Sequence, residues 1–337
     1  MKAIGYKTPG DIDRADALQD IDLPRPTAAG HDLLVEVAAV SVNPVDTKVR
    51  KSATPPEGEW KVLGWDAVGR VAQVGLDAEG FAVGDDVFYA GSIMRPGSNS
   101  QFHLVDARIV GHKPSTLSNA EAAALPLTAI TALEMLFDRL DIRRPVPGAA
   151  NAILIIGGAG GVGSIAIQLV RALTDLTIIA TASRPETQDW VRGLGAHHVI
   201  DHHGDLAAQI DALGIGAPGF VFSTTNSDRH VPTVQTLISP QGRFGLIDDP
   251  ETLNVLGFKR KAVSIHWELM FMRSIFGTPD IGEQGKLLNE IATLIDDGRI
   301  RTTLTETLQP INAANLMKAH ALIEAGTARG KIVLEGF

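Results

Sequence analysis

Three glycines, Gly158, Gly160 and Gly163, stand at the spacing with which a backbone closes on a pyrophosphate. The spacing alone is a weak signal, because glycine clusters also make ordinary turns. Its setting strengthens it. Ile153 to Ile156 form a short continuous apolar run, the pattern of a strand buried on both faces of a parallel sheet. Beyond the glycines, Val162, Ile165, Ala166, Leu169, Val170 and Leu173 recur at the interval that gives a helix one apolar face. The stretch reads as strand, tight turn and helix, with Gly158, Ala159, Gly160, Gly161, Val162 and Gly163 as the cofactor-binding turn. The free amides and positive dipole end of the new helix would hold the phosphates.

In a dinucleotide fold that prefers NAD, an acidic residue about 20 positions further on bonds the ribose 2′-hydroxyl. Here the second strand, Thr177 to Thr181, runs into Ala182-Ser183-Arg184 with no carboxylate. Arg184 suits a 2′-phosphate through a bidentate, charge-assisted contact, and Ser183 adds a hydroxyl. The expected cofactor is NADPH. The competing reading of Arg184 is a solvated arginine ahead of the helix-opening Pro185.

These elements need a scaffold, and 337 residues suggest two domains, each able to bury its own core. The net charge of −9 argues against a phosphate-backbone partner, so no nucleic acid is expected. With no cysteine, disulfides, thiolate nucleophiles and cysteine-ligated zinc are all excluded. No apolar stretch approaches a membrane span, and Met1-Lys-Ala-Ile-Gly-Tyr6 reads as a first strand and not as a signal peptide. A cytoplasmic protein with a small-molecule substrate and no membrane partner is expected.

Residues 1 to about 120 read as β-rich, with strands at His31–Val42, Gly69–Val74 and Val87–Ala90, punctuated by glycine and proline. Ser118 and Glu121 have the spacing of a capping box opening a helix over 119–125, and a second helix is expected from about 127 to 140. From 152 to about 267 strand and helix alternate, with a helix at 185–193 and further strands near 199–200, 220–222, 244–247 and 262–265. Helices near 281–296 and 312–325 and a strand at Lys331–Leu334 complete the chain. The fold class is α/β, with a doubly wound parallel sheet.

Together, Val42-Asn-Pro-Val-Asp-Thr-Lys-Val49, Gly64-Trp-Asp-Ala-Val-Gly69, Ala122 to Ala132, Gly157 to Gly163 and Gly330-Lys-Ile-Val-Leu334 resemble the medium-chain dehydrogenase/reductase superfamily. The resemblance is to its quinone-oxidoreductase-like branch, in the zinc-type alcohol dehydrogenase-like subgroup. It implies a Rossmann domain inserted in a β-rich GroES-like catalytic domain: 1–124 catalytic, 125–267 Rossmann, 268–337 return to the catalytic domain. It also implies NAD(P)H-dependent reduction of quinones or activated alkenes by a homodimer or homotetramer. The zinc members carry a cysteine, a histidine and a cysteine or aspartate where Asn43, Trp65 and Leu127 stand here. None of these three is a credible zinc ligand, so no metal is expected at the catalytic position.

Asn43 and Asp46 are the first polar candidates for catalysis. Asn43 is a good helix N-cap ahead of Pro44, with Asp46 at the dipole end. Alternatively, Asn43 donates its amide to a substrate carbonyl, a contribution on the order of 3 kcal/mol for a single oxyanion donor. Tyr89 and Trp65 are pocket candidates, although an aromatic in a barrel strand is more often core, the reading favoured for Trp65. By the resemblance, Thr128 and Thr131 open a helix that approaches the nicotinamide end, where they either bond the cofactor or back-bond within their helix. His266 follows the last Rossmann strand, where relatives pass the nicotinamide, and is either a proton donor or a structural histidine. His197, His198, Asp201, His202 and His203 look like a metal cluster. Adjacent residues on a strand point to opposite faces, which argues against their convergence.

The leading function is NADPH-dependent reduction of a quinone or α,β-unsaturated carbonyl without zinc. The alternatives are a metal-independent alcohol dehydrogenase or carbonyl reductase, and a non-catalytic dinucleotide sensor or RNA-binding relative.

Overall fold

A computed structural model describes all 337 residues. The chain divides into two compact units, Met1–Ile130 with Phe271–Phe337, and Thr131–Met270. The expected boundaries, 124/125 and 267/268, fall a few residues before the observed ones. The first division lies inside the helix Pro126–Leu133.

The first unit is built on a seven-stranded sheet. Its strands run in the order Leu304–Leu308, Lys331–Glu335, Asp32–Ser41, Asp66–Val74, Asp86–Tyr89, Val110–His112, with Phe102–Asp106 also paired to Asp32–Ser41. Asp32–Ser41 is the hub. Leu33, Leu34, Val35, Val37 and Val40 along it are buried, as β-branched and leucine side chains on a covered strand should be. A separate three-stranded sheet pairs Gln19–Asp22, Lys2–Tyr6 and Lys61–Val62.

Register matters more than strand count here. Antiparallel pairing puts Val333 opposite Ser41, and Ser41 opposite Asp66. Continuing the first ladder outward by two residues brings Lys331 level with Asn43. Three polar residues from distant parts of the sequence are thereby gathered at one end of the hub strand.

The second unit holds a six-stranded parallel sheet in the order His198–Ile200, Thr177–Thr181, Ala150–Ile156, Pro218–Ser223, Arg243–Leu246, Ser264–Trp267. The chain starts in the middle, winds to one edge and then returns to build the other, the doubly wound topology. Leu154, Ile156, Val221, Phe244 and Leu246 pack with Val231, Val234 and Phe258 in a core where Phe244 and Phe258 stack at 5.4 Å. No helix of the chain is long and apolar enough to cross a membrane.

Two elements depart from expectation. The helix anticipated over 127–140 is α-helical only over Pro126–Leu133 and continues as a π-helix, Glu134–Arg139. The last strand of the parallel sheet is Ser264–Trp267, later than the expected 262–265. Ala262 adopts φ +50° at the end of the 3-10 turn Leu256–Lys261, so the strand cannot begin before it. The shift places His266 and Trp267 within the strand and not after it.

Candidate functional site

The glycine turn is the first component, and its amino acids are demanded by space. Gly157 has φ +81°, which a side chain would strain. A Cβ on Gly163 would lie 2.3 Å from the Gly157 carbonyl oxygen, so only glycine lets the helix Gly161–Leu173 start this close to its strand. Thr181 fixes the turn from the neighbouring strand, its hydroxyl accepting from Gly157 N–H at 3.0 Å and its carbonyl from Gly158 N–H at 3.2 Å. Gly160 caps the helix without any side-chain bond to its first turn. The amides of that turn thus receive no side-chain cap at the positive end of a 13-residue helix. A dinucleotide pyrophosphate fits this cradle.

At the end of the next strand, Thr181-Ala182-Ser183-Arg184 carries no acidic side chain. Arg184 precedes the helix Pro185–Gly193, its N–H donating to Thr187 Oγ1 at 3.2 Å. Its guanidinium lies 3.2 Å from Glu186, with the two side chains 46% and 55% exposed. An ion pair so open to water is worth about 1 kcal/mol or less.

The second component lies in the first unit and is almost wholly buried. Asn43 Nδ2 donates to Asp66 Oδ2 at 2.7 Å. Lys331 Nζ donates to the same Asp66 oxygen at 3.0 Å, to Val42 O at 3.1 Å, and to Asn43 Oδ1. Asp66 Oδ1 accepts the Leu127 N–H at 2.7 Å, at the amino end of Pro126–Leu133, where a negative charge is favoured. Lys331 is 3% exposed and Asp66 fully buried. Asp46 sits beside them, its carboxylate accepting Asn43 N–H at 2.8 Å and Gly64 N–H at 3.0 Å. Burial pushes the Asp46 carboxyl up to about 7, a rise opposed by the Asn43 N–H and by Lys331, and reinforced by Asp66.

This arrangement corrects three catalytic expectations. The Asn43 carboxamide does not present itself to a substrate carbonyl. It is buried, with nitrogen and oxygen both engaged inside the cluster. Asp46 is likewise a carboxylate turned onto backbone amides: it supplies the N3 half of the cap of Pro44–Ser52, while the Asn43 side chain turns away to Asp66. Tyr89 is fully buried, stacked on His103 at 5.5 Å, and its hydroxyl faces His103 Nδ1 at 3.1 Å. His103 Nε2 lies 2.9 Å from the Pro96 carbonyl, an acceptor only, so Nε2 carries the proton and the tyrosine hydroxyl donates to Nδ1. Burial lowers His103 to about 4 and raises Tyr89 well above the ordinary phenol value, so neither is poised to exchange a proton near neutrality.

Trp65 is core, packed edge-on against Phe271 with centroids 6.1 Å apart and Nε1 donating to Ser92 O at 3.2 Å. The residues standing at the zinc positions therefore do not fit a zinc ion. Trp65 offers no ligand atom, Asn43 is committed to an ion pair, and Leu127 contributes its backbone N–H to Asp66.

Thr128 is buried and its hydroxyl back-bonds to Leu125 O at 3.0 Å, the bond that the helical reading expects. Thr131 is buried in the same helix. His266, inside its strand, meets Ser264 Oγ at 2.9 Å. It is level with Gly245, whose face of the sheet is covered by Met135 of the π-helix, and it feels the charges of Arg243 and Arg139. The side chain thus sits within the strand and not after it. Asp66 and Lys331 were missed in the sequence. The available signal was a charged residue inside an otherwise apolar strand, Lys331-Ile-Val-Leu334, which requires a partner.

Residues 29–125 match the alcohol dehydrogenase GroES-like domain, and residues 194–334 match the zinc-binding dehydrogenase family. The chain is 39% identical over 338 residues to a zinc-type alcohol dehydrogenase-like protein of Staphylococcus aureus (strain MSSA476), covering 99% of each. A crystal structure from Rhizobium etli CFN 42, provisionally described as a zinc-dependent alcohol dehydrogenase, is 66% identical. It superposes with a TM-score of 0.98 over 100% of this chain and 98% of that one. Escherichia coli quinone oxidoreductase complexed with NADPH has the same fold, with a TM-score of 0.83 at 22% identity over 99% of this chain and 100% of that one. A GroES-like unit joined to a parallel sheet with a phosphate-binding glycine turn defines an NAD(P)-binding oxidoreductase. The chain belongs to the medium-chain dehydrogenase/reductase superfamily, among its zinc-type alcohol dehydrogenase-like proteins.

Two outcomes follow from the buried cluster. Lys331→Met leaves Asp66 charged and uncompensated and is expected to cost about 3–5 kcal/mol in urea unfolding. Adding Asp66→Asn should restore part of that loss; a double variant as unstable as the sum of the singles would remove the ion pair as the cause. For Asp46, the folded carboxyl holds its proton up to about 7, whereas the unfolded one releases it near 4. Its contribution to stability is therefore complete below pH 4 and is lost as pH rises through 7, by no more than about 4 kcal/mol. The difference in unfolding free energy between wild type and Asp46→Asn should shift accordingly between pH 4 and 7, and a pH-independent difference would refute the raised value.

Proposed function

We propose that the protein is an NADPH-dependent oxidoreductase that reduces a quinone or an α,β-unsaturated carbonyl by hydride transfer without zinc. The observation that carries the reading is a glycine turn at Gly157–Gly163 that leaves its helix start uncapped, together with three metal positions, Asn43, Trp65 and Leu127, that offer no free ligand atom. The similarity in fold to a quinone oxidoreductase complexed with NADPH supports the same reading.

A reduced nicotinamide, when bound, supplies the hydride for the alkene carbon or the quinone ring. The chain's own residues bind and orient. The first-turn amides of Gly161–Leu173 hold the pyrophosphate, and Ser183 and Arg184 hold the 2′-phosphate. Fixing donor against acceptor in this way lowers the barrier by proximity. With Tyr89 and Asn43 engaged by buried partners, the proton that completes the reduction comes from water. Reduction of a quinone or enone suits such a site, because the acceptor is already electrophilic and needs no Lewis acid. Metal-independent carbonyl reduction asks for a donor at the carbonyl oxygen, and the residues expected to provide one are those the structure withdraws.

Chelator-treated protein is expected to oxidise NADPH with members of a quinone and enone panel at an unchanged rate. Turnover abolished by chelation and restored by zinc alone would overturn the metal-free step. Turnover with simple aldehydes only would favour the carbonyl reductase, and tight NADPH binding without any turnover the sensor.

Cofactor choice is tested separately. NADPH should bind at least about tenfold more tightly than NADH, or 1.4 kcal/mol. Arg184→Ala should remove most of that preference and leave NADH binding nearly unchanged. Equal dissociation constants in the unmutated protein would sink the assignment.

A further inference from the structure

The histidine-rich segment after the second helix of the parallel sheet behaves differently from a strand. Strand pairing covers His198–Ile200 only, and the chain turns at Asp201. The alternation that would send neighbouring side chains to opposite faces therefore stops where the candidate ligands begin. His197 is drawn away toward the sheet, its Nδ1 accepting the Ile178 N–H at 2.9 Å. Asp201, His202 and His203 instead converge: each offers one ligand atom, and these atoms all lie within 4.8 Å of one another. Asp201 Oδ1 is 3.2 Å from His203 Nδ1, and the two imidazole rings lie 4.5 Å apart, inclined at 50°.

The turn is held independently of any ion. Gln209, from the helix Leu206–Ala212, clamps the Asp201 backbone at both ends: its Oε1 accepts Asp201 N–H at 2.8 Å and its Nε2 donates to Asp201 O at 2.8 Å. Asp201 Oδ1 also accepts the His203 N–H at 2.9 Å.

We propose that Asp201, His202 and His203 form a binding site for a divalent first-row transition metal, of the zinc, cobalt or nickel type. Two imidazoles and one carboxylate are the donor set such borderline ions prefer over magnesium or calcium. Metal–ligand bonds of about 2.0–2.2 Å put ligand atoms roughly 3–3.5 Å apart, so the Asp201–His203 pair already has the required separation. His203 is exposed and His202 half-buried, so small rotations about their side-chain bonds bring the third donor in. The site lies at the carboxyl edge of the parallel sheet. Ile200, just before it, accepts the Ala182 N–H at 3.0 Å, next to Ser183 and Arg184. None of its ligands belongs to the residues assigned to hydride transfer, so its failure would leave that reading standing.

The test is calorimetric titration of the tag-free full chain with zinc chloride at pH 7.5, with cobalt chloride as a spectroscopic probe. One equivalent of zinc is expected to bind saturably. Affinity should fall at least about tenfold in His202→Ala and in His203→Ala, and stay unchanged in His31→Ala, an imidazole of the other unit. Bound cobalt should show the visible absorption of a nitrogen- and oxygen-ligated ion, lost in the double variant His202→Ala/His203→Ala. No saturable binding at millimolar zinc, or binding that survives in the double variant, would overturn the site.

Discussion

The buried ion pair between Lys331 and Asp66 is the constraint on which the first unit depends. Taking two charges out of water costs several kcal/mol for each, and only close mutual contact with further hydrogen bonds offsets it. Both conditions are met here through Asn43, Val42 O and the Leu127 amide. The geometry tolerates no slip. A one-residue shift of Lys331–Glu335 against Asp32–Ser41 would turn Lys331 to the opposite face and leave Asp66 alone in the core. The ion pair and the strand register therefore specify each other.

This has a consequence for the order of the chain. The residues that complete the cluster lie near 43, 66, 127 and 331, so the unit cannot satisfy its buried charges until its last strand has docked. A whole parallel-sheet unit, Thr131–Met270, intervenes in sequence. Its own contacts are local by comparison, its first four strands each followed by a helix of the same unit. Long-range pairing is slow because loop closure comes before the contacts that reward it. The parallel sheet is thus the unit that can form without waiting for the chain end.

The same difference explains what could be read from the sequence. The glycine turn was legible because its requirements are local: a residue at positive φ, a strand and helix in close contact, a bare helix end, all within a few neighbours. The lack of an acidic residue at the end of the second parallel strand, Thr181 to Arg184, was legible for the same reason. Asn43, Asp46 and Tyr89 were not, because residue type does not reveal whether a polar atom is free for substrate or consumed by a partner. In each case the consumer is brought by tertiary pairing, from Asp66, Gly64 and His103 respectively. The boundary of the last parallel strand moved because Ala262 adopts a left-handed backbone, which places His266 within the strand. The strand at His198–Ile200 ends before Asp201, so the alternation of side chains does not extend to His202 and His203.

Polar groups in the two units consequently have opposite fates. In the cluster of the first unit they are engaged internally: the ammonium of Lys331 bonds Asp66, and the carboxylates of Asp46 and Asp66 accept backbone amides. In the second, the amides of the Gly161–Leu173 first turn receive no side-chain cap and are directed outward. A fold that has internalised its acids, its phenol and its amide has little with which to polarise an alcohol or a simple carbonyl. That asymmetry is the physical ground of the proposal that the substrate is an activated alkene or quinone, which carries its own electrophilicity, and not an alcohol.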